Sequence, residues 1–152
     1  MSGDLPPAAR STAFEGLTAA AARGRLELQS CKRCQAVQYP PREACHRCLS
    51  TQLHWMPQSG GGVLIAQTTV FHSYESFFGS RGTWRVGLIQ LECGPIVMAH
   101  VHAAVAPAPA RVRVIARLDR SEQGVLIAIA EEAPVSVLAG TSLAEILLPA
   151  RT

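Results

Sequence analysis

Apolar and polar positions change their period twice along this chain. Ser11 or Thr12 stands before a stretch in which Phe14, Leu17 and Ala21 recur at helical spacing, and Gly24 follows, so a short capped helix is expected there. From Arg25 to Gln29 the pattern alternates, as a strand does, and Leu53 and Trp55 alternate again further on. Between them Pro40 and Pro41 break any regular element, which suits the arm of a hairpin. Ser59, Gly60, Gly61 and Gly62 read as a flexible joint. Beyond it five strand-like runs are expected at 63–71, 84–91, 96–102, 111–118 and 125–130. Turn residues support the count, with Cys93, Gly94 and Pro95 between the second and third runs and 121–124 between the fourth and fifth.

Five short strands fit an OB-type barrel. The connection 103–110 is too short and too rich in proline to hold the helix that many such barrels insert there. The expected fold is mostly β: an N-terminal helical segment at 1–24, a zinc ribbon at 25–58, a five-stranded OB-fold domain at 59–134 and a tail at 135–152. Thr141 or Ser142, followed by Leu143, Ile146 and Leu147, marks that tail as a short helix, docked on the barrel or on another chain.

The ribbon rests on four cysteines, Cys31-x2-Cys34 and Cys45-x2-Cys48. Each C-x2-C turn supplies two thiolates from a tight loop, which is what a tetrahedral ion requires, and a module of this size buries too little apolar surface to fold without one. Four protein sulfurs leave no open position for substrate or water, so a structural zinc is expected. Iron uses the same ligand set, but nothing else in the sequence points to electron transfer. His46 is not needed as a ligand.

Composition narrows the class. At 48% hydrophobic and 16% charged residues the chain is globular and rather apolar, and some of that apolar surface is expected to meet a partner. A net charge of +3 is a weak argument for nucleic acid. The first ten residues hold no apolar core of a secretory signal and no run approaches membrane-spanning length, so a cytoplasmic protein is expected, with its cysteines on metal rather than in disulfides.

Other candidates carry less. Cys93 lacks a local base and reads as a turn thiol. His100 and His102 share one strand face, and Arg111, Arg113 and Arg117 share another, a solvated face or a basic stripe for phosphates or an acidic partner. The segment from Phe71 to Trp84 holds five of the chain's eight aromatic rings. Either these rings cap the open end of the barrel, or they form a surface that closes on a ligand or another protein, with Phe77, Phe78 and Trp84 as anchors and Arg81 and Arg85 placed for phosphate or carboxylate contacts.

The order of helix, Cys31-x2-Cys34, Tyr39-Pro-Pro-Arg42, Cys45-x2-Cys48, Trp55, the glycine run and then Gly87 to Pro95 closely resembles the DUF35 family, over about residues 14–129. Gln35, His46, Cys93 and Ala110 depart from the family's usual residues without removing a metal ligand. The resemblance implies a rubredoxin-like zinc ribbon joined to an OB fold. It also implies a subunit, not catalytic alone, in a hetero-oligomer with a thiolase-like protein, where it assists assembly and holds a CoA thioester. Family contexts include a benzoylsuccinyl-CoA thiolase, steroid side-chain retro-aldolases and an acetoacetyl-CoA thiolase with hydroxymethylglutaryl-CoA synthase. The alternative is a module that binds single-stranded nucleic acid, stacking bases on the aromatic loop.

Overall fold

The computed structural model describes residues 5–149. Ser11 opens the N-terminal helix as expected: its Oγ accepts the Ala13 N–H at 3.3 Å, a 3-10 turn covers Thr12–Phe14, and α1 runs Glu15–Ala22. Gly24, at φ +70, closes it by donating its N–H to the Ala21 carbonyl. Leu17, Ala20 and Ala21 are buried.

Behind the helix, β1 (Glu27–Cys31) lies between β2 (Val37–Gln38) and β3 (Leu53–Pro57) in a three-stranded antiparallel sheet, with Gln29 opposite both Gln38 and Trp55. Five further strands close a barrel in the order β4 (Gly61–Val70), β5 (Trp84–Leu91), β6 (Ile96–Val101), β8 (Gly124–Ala130) and β7 (Ala110–Leu118), with β7 returning to pair with β4. All pairings are antiparallel except the short β6–β8 contact. These strands coincide with the five expected runs to within about two residues. The stretch 102–109 carries no helix.

The alternation of β5 to β8 sends Ile89, Val97, Val112, Val114 and Ala128 into the barrel, and the same apolar cluster continues through Leu17 and Ala21 to Leu26 and Leu28 of the ribbon. Ribbon, helix and barrel thus share one core. A Cβ on Gly16 would fall inside the Trp55 indole, so the helix reaches its seat on the ribbon only because position 16 has no side chain. Gly16→Ala is expected to destabilise the chain by about 1–3 kcal/mol through overpacking, although alanine is the better helix former by about 1 kcal/mol. Chemical denaturation checks this, and a Trp55→Leu background should relieve the loss.

The glycine run is not a flexible joint. β4 already begins at Gly61, and Gly60, at φ +82, lies so close to β7 that a Cβ would fall on the Val114 carbonyl oxygen. Its own carbonyl accepts the Val114 N–H at 2.8 Å. Glycine is there because two strands close the barrel at that point, and no side chain fits between their backbones.

A second apolar cluster lies outside the barrel. Ile115, Ile127 and Ile129 of β7 and β8 are covered by Phe77 of α2 (Ser76–Gly79), Trp84, Leu138 of a 3-10 turn and Leu143 and Ile146 of α3 (Ser142–Ile146). The tail therefore docks on this barrel, fastened by a bridge between Asp119 and Leu147 and by the Leu148 N–H to the Leu118 carbonyl at 3.0 Å.

Candidate functional site

The two C-x2-C turns converge. Sγ atoms of Cys31, Cys34, Cys45 and Cys48 all lie within 4.8 Å of one another, with Cys31 and Cys48 at 3.6 Å and Cys34 and Cys45 at 3.5 Å. An ion with ~2.3 Å bonds to four thiolates in a tetrahedron holds them about 3.8 Å apart, so this donor set fits it. The N–H groups of Arg33 and Arg47 point at Sγ of Cys31 and Cys45, both at 3.4 Å. Backbone donors from Cys34 and Arg33 draw the Cys31 thiol down to about 6 against burial, and those of Cys48 and Arg47 lower Cys45. At Cys48 the Ser50 N–H pulls down, but burial and the three neighbouring thiols outweigh it and hold the group up at about 11.

A buried amide pair aligns the turns. Gln38 Nε2 donates to Gln29 Oε1 at 2.7 Å, Gln29 Nε2 donates to the Arg42 carbonyl at 2.9 Å, and Gln38 Oε1 accepts the His46 N–H at 2.9 Å. The loop carrying the second cysteine pair is thereby tied to the strands carrying the first. Nothing in the spacing of the cysteines reveals this pair; its only trace is a glutamine in each of the two strands that flank the first cysteine turn. Gln38→Leu is expected to leave the chain folded but to speed metal loss to a chelator by about tenfold, because it leaves the His46 N–H without its buried acceptor and takes one of the two donors from Gln29 Oε1, which keeps the Arg42 N–H. Stopped-flow transfer of metal to a chromogenic chelator measures this.

The aromatic segment lies elsewhere than a docking surface requires. Phe77 is 1% exposed and Trp84 4%, both in the second core cluster, and Phe78 packs edge-on to each with centroids 5.2 and 5.3 Å away. Arg81 places its guanidinium 4.0 Å from the Phe77 ring centroid, donates to the Phe77 carbonyl at 2.9 Å and meets Glu145 at 3.5 Å. Arg85 clamps the 102–109 loop through the carbonyls of Val105 at 2.7 Å and of His102 and Ala106 at 3.2 Å, and also bonds Gln67. The rings cap the fold because Ile115, Ile127 and Ile129 offer them an apolar seat, and the arginines secure that cap. Of the five aromatics only Phe71 and Tyr74 are large exposed groups.

His100 is wedged between Phe78 and Trp84, and burial lowers its pKa. With the folded-state pKa below the ordinary value near 6.5, the unfolded chain takes up the proton first, so this contribution to stability is complete above that pH and is lost as pH falls through and below it. Thermal midpoints measured from pH 7.5 to 5 should drop, and His100→Gln should flatten the drop. Burial likewise raises the Cys93 thiol, which opposes a nucleophilic role. Cys93 borders a groove of about 520 Å³ between ribbon and barrel, rimmed by Tyr39, Arg42, His46 and Arg47.

The apolar surface sits instead on the outer face of β4, β5 and β6. Leu88 pairs with Met98 and with Ala66, and Gln90 with Ile96. A register shift between Leu64 and Ala66 turns Ile65 outward beside them. Ile65, Leu88, Ile96 and Met98 are 46, 41, 45 and 62% exposed. Their runs are apolar on both faces, a pattern that in sequence reads only as a buried strand.

A knuckle pair on a three-stranded sheet, joined through one core to a closed five-stranded barrel, defines a zinc-ribbon protein with an OB-type fold. The family model described as ChsH2, rubredoxin-like zinc ribbon domain matches residues 18–54, and that described as ChsH2, C-terminal OB-fold domain matches residues 55–137. The chain belongs to this family. Among solved structures it is similar to an Ltp2-ChsH2(DUF35) aldolase, at 21% identity and a TM-score of 0.64, over 81% of this chain and 97% of that one. It is also similar to a DUF35-family protein of unknown function from Sulfolobus solfataricus, at 14% identity and a TM-score of 0.54, over 80% of this chain and 87% of that one. At these identities the likeness shows the fold. None of the curated proteins matches the sequence. No helix among the described residues is long and apolar enough to cross a membrane.

Proposed function

We propose that this chain is the non-catalytic subunit of a thiolase-superfamily acyl-CoA complex, with zinc held by Cys31, Cys34, Cys45 and Cys48 as its structural ion. The observation that carries the reading is the aliphatic face of Ile65, Leu88, Ile96 and Met98, a set of large side chains left in water on the regular strands of a closed barrel. Monomeric proteins rarely expose contiguous apolar patches of this kind, and rigid strands suit them to a permanent interface. The occupant is a thiolase-like subunit, in keeping with the paired name of the similar aldolase structure. Chemistry resides on that partner: the one cluster of metal-ligating side chains among the described residues is sulfur-saturated, and the Cys93 thiol is held protonated.

The nucleic-acid reading loses its main support. Stacking needs accessible rings, and Phe77 and Trp84 are core residues here.

The test mixes the purified chain with a purified thiolase-superfamily partner and follows the complex by light scattering and by acyl-CoA turnover. Leu88→Lys with Met98→Glu should abolish assembly while zinc content and thermal midpoint hold, since both side chains already face water and the new charges are opposite in sign across the strand pair. Assembly by the double variant at wild-type affinity would sink the proposed face, and turnover by the isolated chain would sink the non-catalytic role.

A further inference from the structure

Arginines on the outer face of β7 are treated unequally. Arg111 is fully neutralised, with Glu92 and Glu131 at 2.5 and 2.6 Å. Arg113 and Arg117, on the same face, meet no carboxylate among the described residues; Arg113 donates to the Ala133 carbonyl at 2.6 Å, and Arg117 makes no hydrogen bond or ion pair there. Both line a groove of about 390 Å³ where ribbon meets barrel, and Arg25, from the turn after α1, lines it too. The walls approach closely: a Cβ on Gly24 would lie 3.8 Å from Arg117 Nη1. No acidic residue lines the groove, and the apolar side chains that it leaves accessible are Pro57 and Val135, with Leu26 and Ile115 buried beneath them.

Three arginines lining one groove hold like charges near one another, and a carboxylate placed as at Arg111 would relieve them. Their isolation makes sense if an anion from outside takes that position. Arg113 and Arg117 flank Ile115 with about 13 Å between their Cα atoms, four residues of a strand at about 3.3 Å each, which suits two or more charges better than one. Arginine's planar fork matches phosphate oxygens two at a time.

We infer that this groove binds a small molecule carrying at least two phosphate charges and an apolar body, the phosphates on Arg25, Arg113 and Arg117 and the body against Pro57 and Val135. The phosphate class rests on the groove alone; the choice of a nucleotide as probe rests on the acyl-CoA reading above.

Calorimetric titration of the zinc-loaded chain at low salt with ADP, pyrophosphate and adenosine tests it. ADP should bind most tightly, pyrophosphate more weakly and adenosine not measurably. Arg117→Gln should weaken ADP at least tenfold with an unchanged thermal midpoint, since this side chain holds no internal partner; Arg113→Gln together with Arg117→Gln should weaken it further and flatten the salt dependence. Arg42→Gln with Arg47→Gln, in the other groove, should change nothing. Absence of binding by both ADP and pyrophosphate at millimolar concentration, or loss of binding in the Arg42 and Arg47 pair instead, would overturn the site. Equal affinity for ADP and pyrophosphate would overturn the apolar seat. Because the groove and the β4–β5–β6 face are tested on different variants, failure of one inference does not imply failure of the other.

Discussion

Cys34→Ser is expected to lower bound zinc from about one equivalent to below a tenth and to unfold the ribbon. The free energy of structural zinc sites is of the order of 10 kcal/mol, and for a three-stranded sheet with two long loops it is folding energy. The loss will spread beyond the loops. β1 carries Cys31 at its end, is buried along its length, and passes Leu28 into the cluster that Leu17 and the barrel share. Releasing the metal should therefore loosen α1 against the barrel as well, with a red shift of Trp55 emission, while the barrel strands keep their far-ultraviolet signature. Zinc affinity should rise with pH between about 6 and 8, because the metal takes thiolates and Cys48, held up at about 11, must give up its proton to join. Metal analysis and chelator competition measure both effects. A folded, fully active Cys34→Ser chain without metal would remove zinc from the account.

The second large effect belongs to Phe77→Ala. Deleting a ring that is 1% exposed should cost about 3–5 kcal/mol, the transfer term of the ring plus the cavity it leaves. For a chain of this size that amounts to roughly 10 °C of thermal midpoint. The loss comes from one place: without Phe77, Ile115, Ile127 and Ile129 lose part of their cover, and Arg81 loses the ring beneath its guanidinium. Zinc content should not change, since the ribbon lies on another part of the barrel. Tyr74→Ala, at a fully exposed ring in the same segment, should be neutral. If Phe77→Ala kept its midpoint and weakened partner binding instead, the segment would be a docking loop after all.

That contrast marks how much of this protein is legible without its fold. The cysteine spacing is local chemistry: two thiolates per tight turn is a property of four residues, so the metal site could be read directly. The barrel strands were legible for a related reason, since alternation and turn residues are encoded within eight or ten positions. Position by position, though, an aromatic ring has the same chemistry in a core as at an interface. Whether Phe77 and Trp84 are anchors or core depends on the outward-facing isoleucines of β7 and β8, some forty residues away in sequence, which offer an apolar seat that something must cover. The glycine run at 59–62 reads as loose in sequence and is tight in space, because the closure of β4 on β7 leaves no room for a side chain. Leu88 and Met98 are ordinary strand residues until pairing puts them side by side on a face that no element among the described residues covers. Arg25 joins Arg113 and Arg117 only because ribbon and barrel share a core. Local geometry and spacing determined the four-cysteine cluster and the strand count; long-range packing alone decided which apolar and charged side chains remain available to bind anything.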